Sequence, residues 1–196
     1  MIKIIPKFQI VLYMTLITLL IGCSSNKVNK SYYQLANNLT NQNQVLQTMK
    51  STNQFMWIES IDVASFLNKP GIVLQTDNIK YATATNNLWV ASLSQQLRDR
   101  VEQDLTALLP NYLVSSNQIT TPNLTVKLFI DGFHGSYTGD AIIIGRWVVT
   151  DSKNNIKTKT FARQVPLNNN GYDALVKALS KGWQDEEQDF ANSIRY

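Results

Sequence analysis

His134 is the one histidine of the chain, with Asp131, Ser136 and Asp140 close to it in sequence. Such a set would offer a base, an orienting carboxylate and a nucleophile for acyl transfer. The spacing argues against it, because Asp131 and His134 on a strand point to opposite faces. No serine occupies a nucleophile-elbow motif either. A histidine between Gly132, Phe133 and Gly135 reads instead as one filling a tight turn at a strand end. Asp185, Glu186, Glu187 and Asp189 form an acidic cluster, and paired carboxylates can serve a glycan hydrolase as acid and base. Consecutive charges on a helix fan around it, which favours a solvated face. Gly132, Gly135 and Gly139 do not match a phosphate-binding fingerprint.

Lys157, Lys159 and Arg163 share strand parity with Phe161. They fit a basic face for lipid headgroups or an acidic partner, or an edge strand that carries charge against aggregation. Trp57, Trp89, Trp147 and Trp183 suit a core better than a ligand box. Tyr81 and Trp89 are the aromatic pair assigned to a possible exposed interface.

Cys23 is the only cysteine, which excludes an intramolecular disulfide and a cysteine-rich metal site. Its setting is informative. Lys3 and Lys7 precede an apolar run from Ile10 to Ile21, and Leu20-Ile21-Gly22-Cys23 follows, then Ser24-Ser25-Asn26. A twelve-residue helix rises about 18 Å, short of a roughly 30 Å hydrocarbon core. The order of charge, apolar run and small residue is that of a secretory signal, and the last four residues look like a bacterial lipobox. The Cys23 thiol would then take up diacylglycerol after cleavage behind Gly22. A buried structural cysteine and an ordinary signal cleaved elsewhere are the alternatives. Ser24 is not the aspartate that commonly retains lipoproteins in the inner membrane, so export to the outer membrane is expected.

The whole chain, 196 residues with 44% apolar and 16% charged, suits one globular domain with a short extra segment. Residues 1–22 read as the signal peptide, 23–30 as lipidated N-terminus and tether, and 31–196 as the domain. Without the signal the basic excess is too weak to argue for nucleic acid as a partner. The net charge of +4 includes Lys3 and Lys7.

The elements that must position these residues follow from periodicity. Ser31 to Leu35 has strand composition, and Asn37 to Gln54 reads as a long polar surface connection. Phe55 to Ala64 reads as a strand with Phe55, Trp57, Ile61 and Val63 on one face. Lys69-Pro70-Gly71 marks a turn, and Ile72–Thr76 and Ile79–Ala84 form strands around Asp77. Ser92 to Leu109 is the clearest helix, with Ser92 and Gln95 as a capping box and Leu93, Leu97, Val101, Leu105 and Leu108 as its stripe. Leu124 to Phe133 alternates. Ala141 to Thr150 is apolar on nearly both faces, as in a central strand. After the turn Asp151–Asn155 comes Ile156 to Val165, then a helix from Tyr172 to Ser193. Strands, helix, strands, helix argue for an α+β fold, a mixed or mainly antiparallel sheet with two helices packed on one face.

Gln75-Thr76-Asp77 through Tyr81, Asn86-Asn87-Leu88-Trp89 and Leu93-Ser94-Gln95-Gln96-Leu97-Arg98 carry a resemblance to the ABC-type transport auxiliary lipoprotein family. So do Gly132-Phe133-His134-Gly135 with Tyr137 and Gly139, Gly145 with Trp147, and Gly171-Tyr172-Asp173 with Trp183. The resemblance implies a non-enzymatic outer-membrane lipoprotein facing the periplasm; no cofactor is expected, and with one histidine and one cysteine a metal site lacks ligands. Its implied partners are an inner-membrane protein, a periplasm-spanning protein of the mammalian-cell-entry (MCE) type, and membrane phospholipid moved between membranes in support of envelope integrity. A ring of identical copies that receives the MCE tube is also implied. Two other classes stay open: a lipoprotein enzyme on peptidoglycan or glycan using Asp185 or Glu186, and an accessory lipoprotein of another ABC transporter.

Overall fold

The computed structural model describes residues 29–36 and 54–195. The expected signal, Cys23, most of the tether and nearly all of the Asn37–Gln54 connection lie outside the described residues. The described elements are β1 (Ser31–Tyr33), β2 (Gln54–Val63), β3 (Gly71–Asp77), β4 (Lys80–Trp89), α1 (Leu93–Leu108), β5 (Tyr112–Ser115), β6 (Leu124–Gly135), β7 (Asp140–Asp151), β8 (Ile156–Pro166) and α2 (Tyr172–Ile194).

All eight strands join one mixed sheet organised around β6. β7 pairs antiparallel with β6 from Leu124 to Gly135, and β8 pairs antiparallel with β7. Because β7 occupies one edge of β6 over its whole length, the other edge is shared. β2 runs parallel to β6 from Leu124 to Ile130, and β3 meets it, also parallel, at Gly135. β5 continues the sheet beyond β2 in parallel. β4 continues it antiparallel beyond β3, and β1 lies parallel to β4. Both helices pack on one face, α1 against β2 and β5, α2 against β6, β7 and β8, and they touch each other. The α+β expectation of two helices on one face of a mixed sheet holds.

α1 starts where Ser92 Oγ accepts a hydrogen bond from the Gln95 backbone N–H at 3.3 Å. Only this half of the capping box forms, because the Gln95 amide turns forward to Asp99 at 2.8 Å. The helix ends at Pro110, which cannot supply the next backbone donor. Of its five stripe positions Leu108, at the helix end, is half-buried. The other four, Leu93, Leu97, Val101 and Leu105, are fully buried, each stabilising the fold by roughly 1.5–3 kcal/mol. Leu175, Leu179, Trp183 and Phe190 do the same for α2.

Two strands differ from their periodicity. In β2 the buried side chains are Phe55, Met56, Ile58 and Ile61, while Trp57 is only half-buried. The register with β6 slips between Ile58 and Ser60, and a bulge of this kind reverses the inward parity of everything beyond it. β7 is interior to the sheet as expected, but only one of its faces is covered. Ala141, Ile143 and Trp147 are buried under the helices, whereas Ile144 on the other face is 40% exposed. β5 is a short strand that the periodicity of the chain did not mark.

Candidate functional site

The β6–β7 pairing places Phe133 opposite Ile143 and His134 opposite Ile142. Phe133 therefore points under the helices, where its ring lies 6.3 Å from that of Trp183. His134 points to the open face of the sheet, yet it is buried because Tyr81 of β4 stands edge-on to it at 5.1 Å and 88°. Its Nδ1 bonds the Gly135 carbonyl at 3.0 Å. Burial pushes the imidazole below its ordinary range despite that bond, so the ring is neutral at pH 7.

A bulge between Ile130 and Gly132 corrects the expected placement of Asp131. The extra residue lets Asp131 reach the open face that His134 also occupies, but its carboxylate is held by Arg146 at 3.2 Å. Arg146 in turn lies 4.2 Å over the Phe129 ring. Ser136 bonds Thr138 at 2.8 Å, and Thr138 and Gln164 both donate to Asp140. These residues brace the β6–β7 turn and are not assembled on His134.

Tyr81 is 48% exposed and packs on Phe66 with ring centroids 5.2 Å apart. The β3–β4 hairpin continues outward to Ile79, 84% exposed. At its tip Asn78 accepts a hydrogen bond from the Tyr137 hydroxyl of the β6–β7 turn. Two turns distant in sequence thus meet in one projecting aromatic and aliphatic edge. Trp89, the other half of the expected exposed pair, is buried and packs toward Phe133 at 6.5 Å. Only Tyr81 of that pair offers surface.

The acidic cluster is the larger correction. Asp185 and Asp189 are solvent-facing, but Glu186 and Glu187 are 2% and 0% exposed. α2 packs against the sheet on one side and against α1 on another, so successive helical positions are both taken inside. Glu186 accepts from Trp147 Nε1 at 3.1 Å and meets Lys159 at 3.3 Å and Arg163 Nε at 2.9 Å. Arg163 also binds Asp189 and the Asp185 carbonyl. Lys159 and Arg163 therefore turn with Phe161 toward α2, and Lys157 at the far end of the same row is exposed. The headgroup-or-partner surface considered for this row is used within the fold at two of its three positions.

Glu187 faces the buried Arg100–Asp104 pair of α1. Neither Glu187 oxygen meets hydrogen-bond geometry with a partner, and neither does Trp183 Nε1. Burial first, then the Asp104 carboxylate, drives the Glu187 carboxyl well above its ordinary range, with Arg100 opposing. Sequence reasoning missed this cluster. Its trace was present, since Glu187 continues the stripe of Leu179 and Trp183, and Arg100 and Asp104 are spaced to pair beside Leu97 and Val101.

No three His, Cys, Asp or Glu residues among the described residues are grouped to hold a metal ion. Lys159, Arg163, Glu186 and Asp189 are committed to internal ion pairs.

The model of the ABC-type transport auxiliary lipoprotein component matches residues 33–191. The chain belongs to this family. Within it, the chain is 34% identical over 176 residues to the intermembrane transport lipoprotein PqiC of Escherichia coli (strain K12), covering 90% of this chain and 92% of that protein. The PqiC of Shigella flexneri matches to the same extent. A crystal structure of an uncharacterised protein superposes with a TM-score of 0.74 at 32% identity, over 85% of this chain and 99% of that one. The fold also recurs in a Xanthomonas campestris protein at a TM-score of 0.63 and 14% identity, over 72% and 83% of the two chains. No helix among the described residues is long and apolar enough to cross a membrane.

Proposed function

We propose that the protein is a non-enzymatic, lipid-anchored component of an intermembrane phospholipid transport system, held at the outer membrane and facing the periplasm. Cys23 carries the acyl chains, residues 1–22 are removed, residues 23–30 are the tether, and the domain from residue 31 onward docks a periplasm-spanning protein of the MCE type. The observation that carries this reading is the near full-length match to relatives named intermembrane transport lipoprotein. A ring of copies, each tethered, would let modest single contacts add to a firm assembly, because tethering raises their effective concentration. Acyl anchoring is physically sufficient, since each buried CH₂ contributes roughly 0.8 kcal/mol and several chains exceed the marginal hold of one.

The arrangement of the acidic cluster weighs against the glycan-hydrolase alternative. Glu186 is buried and held by the partly exposed Lys159 and Arg163, and Asp185 is paired with Lys181.

The test is affinity capture of the native protein from solubilised envelopes, with membrane fractionation and intact mass of the same material. Recovery of an MCE-type protein, outer-membrane fractionation and an acylated N-terminus on Cys23 are expected. Reproducible capture without such a partner would sink the transport assignment. Recovery only with inner membrane would favour an accessory lipoprotein of another transporter.

A further inference from the structure

The end of the domain at which the β3–β4 hairpin projects gathers four exposed large apolar or aromatic side chains. Ile79 is 84% exposed, Tyr137 55%, Tyr81 48% and Phe66 38%. Asp77 and Lys80 flank the tip as an exposed pair at 3.7 Å, which contributes little to stability. An isoleucine at a projecting tip, ringed by tyrosines and a lysine, has the chemistry of a membrane interface. Tyrosine buries its ring at headgroup level while its hydroxyl stays wet, and lysine extends its ammonium toward phosphate.

The direction of β1 decides which membrane-bound object this end meets. β1 is parallel to β4, with Ser31 level with Asn87 and Tyr33 level with Trp89. Following the chain backward from Tyr33 to Ser31 therefore leads toward the hairpin tip. Cys23 precedes Ser31 by as many residues as Ile79 precedes Asn87. That length spans roughly 26 Å at full extension, sufficient for Cys23 to stand level with Ile79. The segment after β1 is meanwhile pinned to the helices, as the Leu35 and Ala36 backbone N–H groups donate to Gln96 and Ser180 at 2.9 Å each. The exit of the chain thus has a fixed place on the domain.

Resting on the reading of Cys23 as acylated, we propose that the β3–β4 tip and the β6–β7 turn form a second, non-covalent contact with the same bilayer, with Ile79 and Tyr137 seated among lipid headgroups. The domain then stands on the membrane with its β5–β6 end pointing away. β6 has 12 residues and spans roughly 40 Å, so Ile119 in the β5–β6 loop, 57% exposed, is held far from the lipid.

The test uses the full acylated chain purified from native membranes, in which Cys23 is blocked by its lipid. Ile79→Cys, Tyr137→Cys and Ile119→Cys each then give one free thiol for an environment-sensitive fluorophore. All three positions are exposed, so folding is not at stake. The labelled proteins are reconstituted into phosphatidylethanolamine–phosphatidylglycerol vesicles, with and without lipid carrying a shallow nitroxide quencher. Labels at 79 and 137 should shift to the blue and lose emission with the quencher lipid, while the label at 119 should do neither. An acylated chain that floats with vesicles but shows no quenching at 79 or 137 overturns the contact and leaves the anchor intact. A blue shift at 79 that grows with protein concentration in lipid-free detergent, without quenching in vesicles, assigns the tip to a second copy and also overturns it. Absence of acyl mass on Cys23 removes the anchor reading and this inference together.

Discussion

Glu187 of α2 faces Asp104 of α1 across the helix interface, with both carboxyl groups shut away from water at 0% and 2% exposure. Arg100 is paired with Asp104, and burial together with the Asp104 carboxylate raises the Glu187 carboxyl against the opposing pull of Arg100. That shift favours the neutral acid, so the helix contact is strongest with Glu187 protonated.

The pH dependence follows from that proton. The folded state raises the Glu187 carboxyl above its ordinary 4.5, so the folded protein binds more protons than the unfolded chain once pH exceeds that value. Its contribution is complete below 4.5 and is lost as pH rises from there through the raised value. Urea unfolding midpoints should fall with rising pH in the wild type, and Glu187→Gln should flatten this limb. An unchanged slope in the variant would show that the proton resides elsewhere.

His134 acts in the opposite sense. Burial lowers its imidazole below 6.5, so the unfolded chain takes up a proton that the folded protein refuses. Its contribution is present above 6.5 and is lost as pH falls through that range. His134→Phe should flatten the limb just below pH 6.5 while leaving the alkaline side unchanged, measured in the same urea titration.

Glu186 joins α2 to β8 through Lys159 and Arg163 and to β7 through Trp147. Removing one partner of a buried pair leaves the other charge stranded, at about 3–5 kcal/mol. Lys159 and Arg163 are partly exposed, so screening places Glu186→Ala at about 2–3 kcal/mol. A double-mutant cycle with Arg163→Ala, read by chemical denaturation, should recover at least about 1 kcal/mol of coupling. Additive losses would mean that the ion pair contributes nothing beyond packing.

Gly145 and Gly182 are both close-approach positions, and they should differ in cost. A Cβ at Gly145 would come within 2.2 Å of the Phe129 carbonyl oxygen, whereas one at Gly182 would meet the Ile143 and Val165 methyls at 2.7 and 2.8 Å. Backbone of a paired strand cannot give way, while side-chain tips can. Gly145→Ala should cost about 3 kcal/mol and Gly182→Ala about 1 kcal/mol, read as unfolding midpoints. Equal losses would refute this ordering.

Local sequence determined the helices and the long strands. The leucine stripe of α1, the stop at Pro110 and the alternation of Val126, Leu128 and Ile130 each report one element against one apolar layer, and such patterns survive because every turn repeats the same contact. The terminal segment around Cys23 is likewise legible as an order of charge, apolar run and small residue. Tertiary structure alone decided the bulges in β2 and β6, since a register slip depends on the partner strand. It also decided the burial of Trp89, Glu186 and Glu187. A helix pressed on two sides has no single solvent face, and whether a carboxylate is wet depends on a second helix and an edge strand that no local window contains.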